Sequence, residues 1–162
     1  MPLKSNAMTK ILFVCTANVC RSPMALTVAR KLIKERGLAR TMQVDSAGTH
    51  APLPPQRPDP RAVATLERRG YKPERMRSSR IGSKHFVDFD WVLAMDMANM
   101  AALAKVCPAE HAHKIRLLMT YAPETGRTEV PDPYYGNAQG FELVLDLCEA
   151  AINGLLKHQA LL

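Results

Sequence analysis

Four consecutive apolar residues, Ile11-Leu12-Phe13-Val14, run straight into Cys15-Thr16-Ala17-Asn18-Val19-Cys20-Arg21-Ser22-Pro23. Behind this segment Met24, Ala25, Val28, Ala29, Leu32 and Ile33 recur at helical spacing, and Gly37 supplies a stop. The pattern predicts strand, loop and helix, with the strand over Lys10 to Val14. An unbroken apolar strand is one covered on both faces, as in a parallel sheet. A loop in this place aims its backbone N–H groups and the positive end of the helix at one point, which suits it to hold a phosphate or similar oxyanion.

Two residues bracket the loop. Cys15 opens it, where a nearby helix N-terminus favours the thiolate and makes the sulfur a nucleophile at neutral pH. Arg21 closes it with a planar fork that can hold two oxygens of a phosphoryl group as charge redistributes in an in-line displacement. Ser22 can cap the helix, and Pro23 suits its first turn.

The remaining chain repeats the alternation. A second strand is expected from Met42 to Ser46, then a proline-stiffened loop from Gly48 to Pro58. Asp59-Pro60 starts a helix through Arg69, closed by Gly70. Lys72 to Lys84 reads as irregular and basic. Asp90 to Met95 and Ile115 to Met119 read as strands three and four, flanking a helix from Met97 to Val106 that stops before Pro108. Thr120 to Gln139 lacks periodicity, and a loop this long is usually functional. A final helix spans about Gly140 to His158. The expectation is therefore an α/β fold: a doubly wound four-stranded parallel sheet flanked by helices, in a single domain, with function at the carboxyl ends of its strands. Cys15 and Ser46 both fall at such ends.

Composition narrows the classes. At 162 residues and 47% apolar content the chain can bury a real core, and no run of 18 apolar residues suggests a membrane span. The first ten residues lack a signal-peptide layout, so a cytoplasmic location is expected. The four cysteines, Cys15, Cys20, Cys107 and Cys148, show neither a C-x-x-C pair nor ligand spacing with His, so a structural zinc site is not expected. Cys107 and Cys148 lie in helical patterns and read as small buried hydrophobes. The net charge of +7 is uneven: Arg57 to Lys84 holds nine Lys or Arg against Asp59, Glu67 and Glu74. Beside the loop such a face would steer anionic substrates, while most of its charges read as an ordinary solvated face. With one aromatic, Tyr71, and no binding motif, it does not argue for nucleic acid.

The string Cys-x5-Arg-Ser-Pro, with Asn18 and Cys20 inside it, resembles the signature of the low-molecular-weight protein tyrosine phosphatases. Asp45-Ser46-Ala47-Gly48-Thr49, Phe89 to Asp96 and Asp132-Pro133-Tyr134-Tyr135 resemble further family segments in the right order. The likeness places the domain at residues 8–162 and leaves 1–7 as an N-terminal extension or a cloning scar.

This resemblance implies hydrolysis of phosphotyrosine, in a protein or as a small aryl phosphate, through a cysteinyl-phosphate without metal or cofactor. Cys15, Arg21 and Asp132 take the catalytic roles of nucleophile, clamp and acid/base. Thr16, Ala17, Asn18, Val19, Cys20 and Ser22 are expected to bind the phosphate, with Ser22 also donating to the thiolate. Tyr134 and Tyr135 would wall an aromatic ring or simply pack at the surface. Asn18 and Ser46 would brace the loop by hydrogen bonds, though Asn18 could equally be a tolerated left-handed residue. Cys20 is either a packing thiol or the partner of Cys15 in a protective disulfide.

Four positions depart from the family's pattern. Ala17 replaces a usual glycine, which predicts either negative φ or strain. Pro52 stands at an aromatic gate, Met76 near a usual histidine, and Leu26 where many bacterial relatives have Glu. Two other activities are available to the same fold. Arsenate reduction coupled to thioredoxin needs a cysteine relay, which Cys107 and Cys148, 41 residues apart, do not suggest. Relatives acting on phosphoarginine tend to have threonine where Val19 stands. A non-catalytic phosphate binder would have no use for Asp132.

Overall fold

The computed structural model describes residues 7–160. Except for Ala7, the expected N-terminal extension lies outside them. Strands β1 (Thr9–Cys15), β2 (Met42–Gly48), β3 (Trp91–Ala94) and β4 (Ile115–Leu117) form one parallel sheet in the order β2-β1-β3-β4. The helices are α1 (Arg21–Glu35), α2 (Pro60–Arg68), α3 (Ser83–Asp88), α4 (Met97–Val106) and α5 (Ala138–Ala160). This is the expected doubly wound arrangement. Because the chain leaves β1 for β2 on one side and later adds β3 on the other, a crevice opens between the carboxyl ends of β1 and β3.

The unbroken apolar run of β1 is explained by its two buried faces. Ile11, Phe13 and Cys15 alternate toward a core that includes Met24 and Val28 of α1 and Phe141, Val144 and Cys148 of α5. Leu12 and Val14 point the other way, onto Phe86 of α3, Phe89, and Leu103 of α4. Each large side chain buried here contributes roughly 1.5–3 kcal/mol.

The local signals act as expected in several places. Asp59 caps α2 by accepting from Arg61 N at 2.8 Å, Pro60 fills its first position, and Gly70 ends it at φ 87°. Gly37, at φ 68°, turns the chain out of α1. Arg69, just past α2, bridges to α5 through Glu142 at 2.8 Å, Asp146 at 2.9 Å and Glu149 at 2.7 Å.

Several boundaries differ. Helix α1 begins at Arg21, and its N-cap is Cys20 with no side-chain cap, so Ser22 does not cap it. The Ser22 hydroxyl is used elsewhere, as described below. Strand β4 ends at Leu117, where the chain tightens into a 3₁₀ turn over Leu118–Tyr121 that buries Leu118 and Met119. Residues Ser83–Asp88 form α3 because Phe86 anchors one turn in the core; six residues are too few for a periodic signal. Cys107 is only half-buried, at the end of α4, where its thiol donates to Pro108 O at 3.3 Å. Cys148 is fully buried.

Candidate active site

The loop after β1 closes over its own cysteine. Asn18 N donates to Cys15 Sγ at 3.2 Å, and Ser22 Oγ lies 3.0 Å from the same sulfur. Asn18 Nδ2 donates to Ser22 Oγ at 2.7 Å, so the Ser22 hydroxyl hydrogen is left to the sulfur at 3.0 Å or to Ala47 O at 3.4 Å. The rest of the Asn18 amide is also engaged: Nδ2 donates to Ser46 Oγ at 3.0 Å, and Oδ1 accepts from Ser79 N at 2.9 Å. Asn18 is the one non-glycine residue with positive φ (60°) among those described. It is therefore both left-handed and a brace. Ala17 is not in that region, so replacing the usual glycine costs no backbone strain there. Met76 is not needed for this network, whose third anchor is the Ser79 backbone.

Neighbouring chain holds the loop from outside. The carbonyls of Cys15, Thr16 and Val19 accept from Thr49 N (2.9 Å), His50 N (2.8 Å) and Asp59 N (2.8 Å). Gly48 pairs with Cys15 in the sheet and lies so close that a Cβ there would sit 2.6 Å from Thr16 O and 3.0 Å from the Ala17 carbonyl carbon. Only glycine admits this approach.

Arg21 is 2% exposed, and a charge so buried must be paired. Its Nη1 donates to Asp96 Oδ2 at 2.6 Å and to Val130 O at 3.0 Å. Its Nη2 reaches Thr16 Oγ1 at 3.4 Å and lies 3.8 Å from Asp132 Oδ2. Asp96 follows β3 and caps α4, its Oδ1 accepting from Asn99 N at 2.7 Å. Buried Asn99 in turn donates from Nδ2 to Thr16 Oγ1 at 3.0 Å. Thus the two strand ends at the crevice, Cys15 of β1 and the Asp96 cap after β3, are joined through Arg21.

Asp132 arrives from the long loop, which is tied to β3 by Val130 N donating to Met95 O at 2.8 Å. Its Oδ1 accepts from Tyr134 N at 3.0 Å, and half of its side chain faces solvent. Tyr134 (47% exposed) and Tyr135 (93%) meet edge to face, centroids 4.9 Å apart. Arg61 stacks over the Tyr134 ring at 5.5 Å and forks onto Asp59 at 2.8 and 3.1 Å. These hydrogen bonds hold the Asp59 carboxyl below its usual range. Cys20 is a free thiol pushed up to about 12, first by burial and then by the Asp59 charge.

Cys15, Thr16, Ala17, Val19, Cys20, Arg21, Asp132, Tyr134 and Tyr135 line a single cavity of about 360 Å³, with His50, Pro52 and Gln56 completing its mouth. Asn18, Ser22 and Ser46 stand behind the loop. Asp96, Asn99, Gly48, Ser79, His50 and Gln56 are the contributors whose parts sequence patterns did not reveal. The signal for Asp96 was its place directly after an apolar strand and before a helix. Among the described residues no cluster of three metal-ligating side chains occurs, and no helix is long and apolar enough to cross a membrane.

The fold and site define an α/β protein with a cysteine-bearing loop at the switch point of its parallel sheet. The family model for low molecular weight phosphotyrosine protein phosphatase matches residues 10–161, and the chain belongs to that family. It is 41% identical over 150 residues to a low molecular weight protein-tyrosine-phosphatase of Streptomyces coelicolor, covering 91% of each chain. To the human low molecular weight phosphotyrosine protein phosphatase it is 34% identical over 161 residues, covering 96% of this chain and 98% of the other. A crystal structure of a protein tyrosine phosphatase from Entamoeba histolytica with Hepes in its active site superposes with a TM-score of 0.90, at 37% identity over 94% of this chain and 97% of that one.

Proposed function

We propose that this chain hydrolyses phosphotyrosine in proteins, and aryl phosphate monoesters generally, in two displacements at Cys15. In the first, the Cys15 thiolate forms an S–P bond as the P–O bond to the phenol breaks, and protonated Asp132 delivers its proton to the departing oxygen. In the second, the Asp132 carboxylate takes a proton from water, whose oxygen bonds to phosphorus as the S–P bond breaks. Asn18 N–H, which donates to the sulfur, and the Ser22 hydroxyl, 3.0 Å from it, stabilise the thiolate as it leaves. Throughout, Arg21 Nη2 and the loop N–H groups hold the equatorial oxygens, and these supply the positive charge the transition state needs.

The observation that carries this reading is the fixation of Arg21. Its Nη1 is committed to Asp96 and Val130, so Nη2 is held in the cavity that Cys15 and Asp132 share. A rigid fork facing a sulfur and an acid across one small cavity suits phosphoryl transfer better than binding alone. Val19 presents an apolar side chain to the same cavity, and Tyr134 an aromatic face, which favours a phenolic leaving group. A free thiol at the centre suits a reducing cytoplasmic setting.

The test is a comparison of initial rates on phosphotyrosine and phosphoarginine peptides with a chelator present. Chelator-insensitive hydrolysis with preference for phosphotyrosine is expected. Preference for phosphoarginine would redirect the specificity, and arsenate-dependent oxidation of thioredoxin would replace the reaction.

A further inference from the structure

Beside the catalytic cavity lies a second one, of about 460 Å³, rimmed by Arg57, Arg75 and Arg77 and floored in part by Val63 and Met76. No carboxylate comes within ion-pair distance of these three arginines among the described residues. The one acid on the wall, Glu74, is 69% exposed and turned to Arg30 at 3.3 Å. Three arginines lining one concave surface place positive potential there.

The two cavities are lined by adjoining segments. Ser78 N donates to Gln56 O at 2.7 Å and Gln56 N to Ser78 Oγ at 2.8 Å, which locks the Gln56-Arg57 segment to the Arg77-Ser78 segment. Gln56 lines the catalytic cavity and Arg57 the basic one. Ser79 N holds Asn18 of the phosphate loop. The segments that line the two cavities are therefore held to each other and to the phosphate loop.

We propose that the Arg57–Arg75–Arg77 cavity binds Asp or Glu side chains flanking the phosphotyrosine of a substrate protein, and so selects acidic phosphopeptides. The proposal rests on the phosphotyrosine hydrolysis argued above. Guanidinium forks match carboxylates, and the apolar floor accepts the methylene stem of Glu or a neighbouring apolar residue. An extended chain advances about 3.5 Å per residue, which carries a flanking acid from the catalytic cavity toward the adjoining basic one.

The test measures kcat/KM on p-nitrophenyl phosphate, on a phosphotyrosine peptide with flanking Asp and Glu, and on the same peptide with Asn and Gln. The full chain is compared with its Arg75→Ser/Arg77→Ser variant. At low salt the full chain is expected to favour the acidic peptide about tenfold through KM, as several solvent-facing ion pairs together allow, with the advantage shrinking as salt rises. The double variant is expected to lose that advantage while keeping the rate on p-nitrophenyl phosphate. Equal rates on the two peptides, or an advantage that survives the substitutions, would overturn the proposal. The comparison in the unsubstituted chain stands even if the variant does not fold. No hydrolysis of p-nitrophenyl phosphate would instead overturn the phosphatase reading itself. Variant-sensitive binding of single-stranded DNA without any peptide preference would assign the cavity to nucleic acid and likewise overturn it.

Discussion

Arg21 and Asp96, 75 residues apart in the chain, meet at 2.6 Å across the crevice between β1 and β3. The pair joins the loop that would hold a phosphate to the cap of α4, and it commits one edge of the guanidinium so that the other faces the cavity. Asp96→Ala would leave a buried cation with Val130 O as its principal remaining partner. Removing one member of a fully buried pair costs about 3–5 kcal/mol. Asp96 is 20% exposed, so a smaller loss of about 1–3 kcal/mol is expected. Denaturant unfolding measures it, alongside a rise in KM for aryl phosphate as Arg21 loses its orientation. Unchanged stability and unchanged KM would show that Asp96 does not hold Arg21.

Gly48→Ala tests the closeness of β2 to the loop. The added methyl would meet backbone atoms of Thr16 and Ala17, which cannot rotate away, so the loop must shift. Overpacking of this kind costs about 1–3 kcal/mol. Turnover is expected to fall by about a hundredfold, the scale of a 1 Å misplacement. Gly82→Ala is the control, because nothing lies within 4 Å of its Cβ position; its activity should be unchanged.

The thiols should separate by reactivity. Burial and the neighbouring Asp59 keep the Cys20 proton on until pH approaches about 12, and burial does the same for Cys148. Substoichiometric iodoacetate at neutral pH is therefore expected to label Cys15 and spare Cys20 and Cys148, as peptide mapping would show. Since the Asp59 charge raises Cys20, Asp59→Asn should move Cys20 alkylation to lower pH. Preferential labelling of Cys20 in the unsubstituted chain would contradict the geometry around Cys15.

The Arg69 cluster gives a pH-dependent contribution to stability. Hydrogen bonds from Arg69 and Arg68 hold the Glu142 carboxyl below its ordinary range. A carboxylate favoured in the folded state adds stability that is complete above its unfolded pKa, near about 4.3, and is lost as pH falls through the lowered folded value. Arg69→Met should therefore cost about 1 kcal/mol at neutral pH, after allowance for solvent exposure, and should flatten the decline of stability below about pH 4. Parallel acid profiles for the two proteins would remove Glu142 from the account.

The β1–loop–α1 unit was legible because everything that defines it is contiguous: an apolar strand, a bracketed loop and a periodic helix. The family's string then pointed to Cys15, Arg21 and Asp132 as a group, and one cavity holds all three. Asp96, Asn99 and Gly48 were not legible as participants, since their contacts with the loop depend on which strands lie side by side, and nothing local encodes that. Ser22 misled for a different reason. A serine before Pro at a helix start normally caps, yet the same hydroxyl bonds Asn18 and faces Cys15, and the helix begins two residues earlier than that cap would set, at Arg21. Strand β4 was read too long because Leu118 and Met119 are buried as a strand's would be, although the backbone has already turned.

In the proposed reaction the sulfur of Cys15 carries the phosphoryl group between the two displacements. Asp132→Asn should slow release of the intermediate, so rapid-quench mixing of that variant with p-nitrophenyl phosphate, followed by peptide mass spectrometry, should place one phosphoryl group on the peptide containing Cys15. Turnover with the label on another residue, or undiminished turnover in Cys15→Ser, would contradict it.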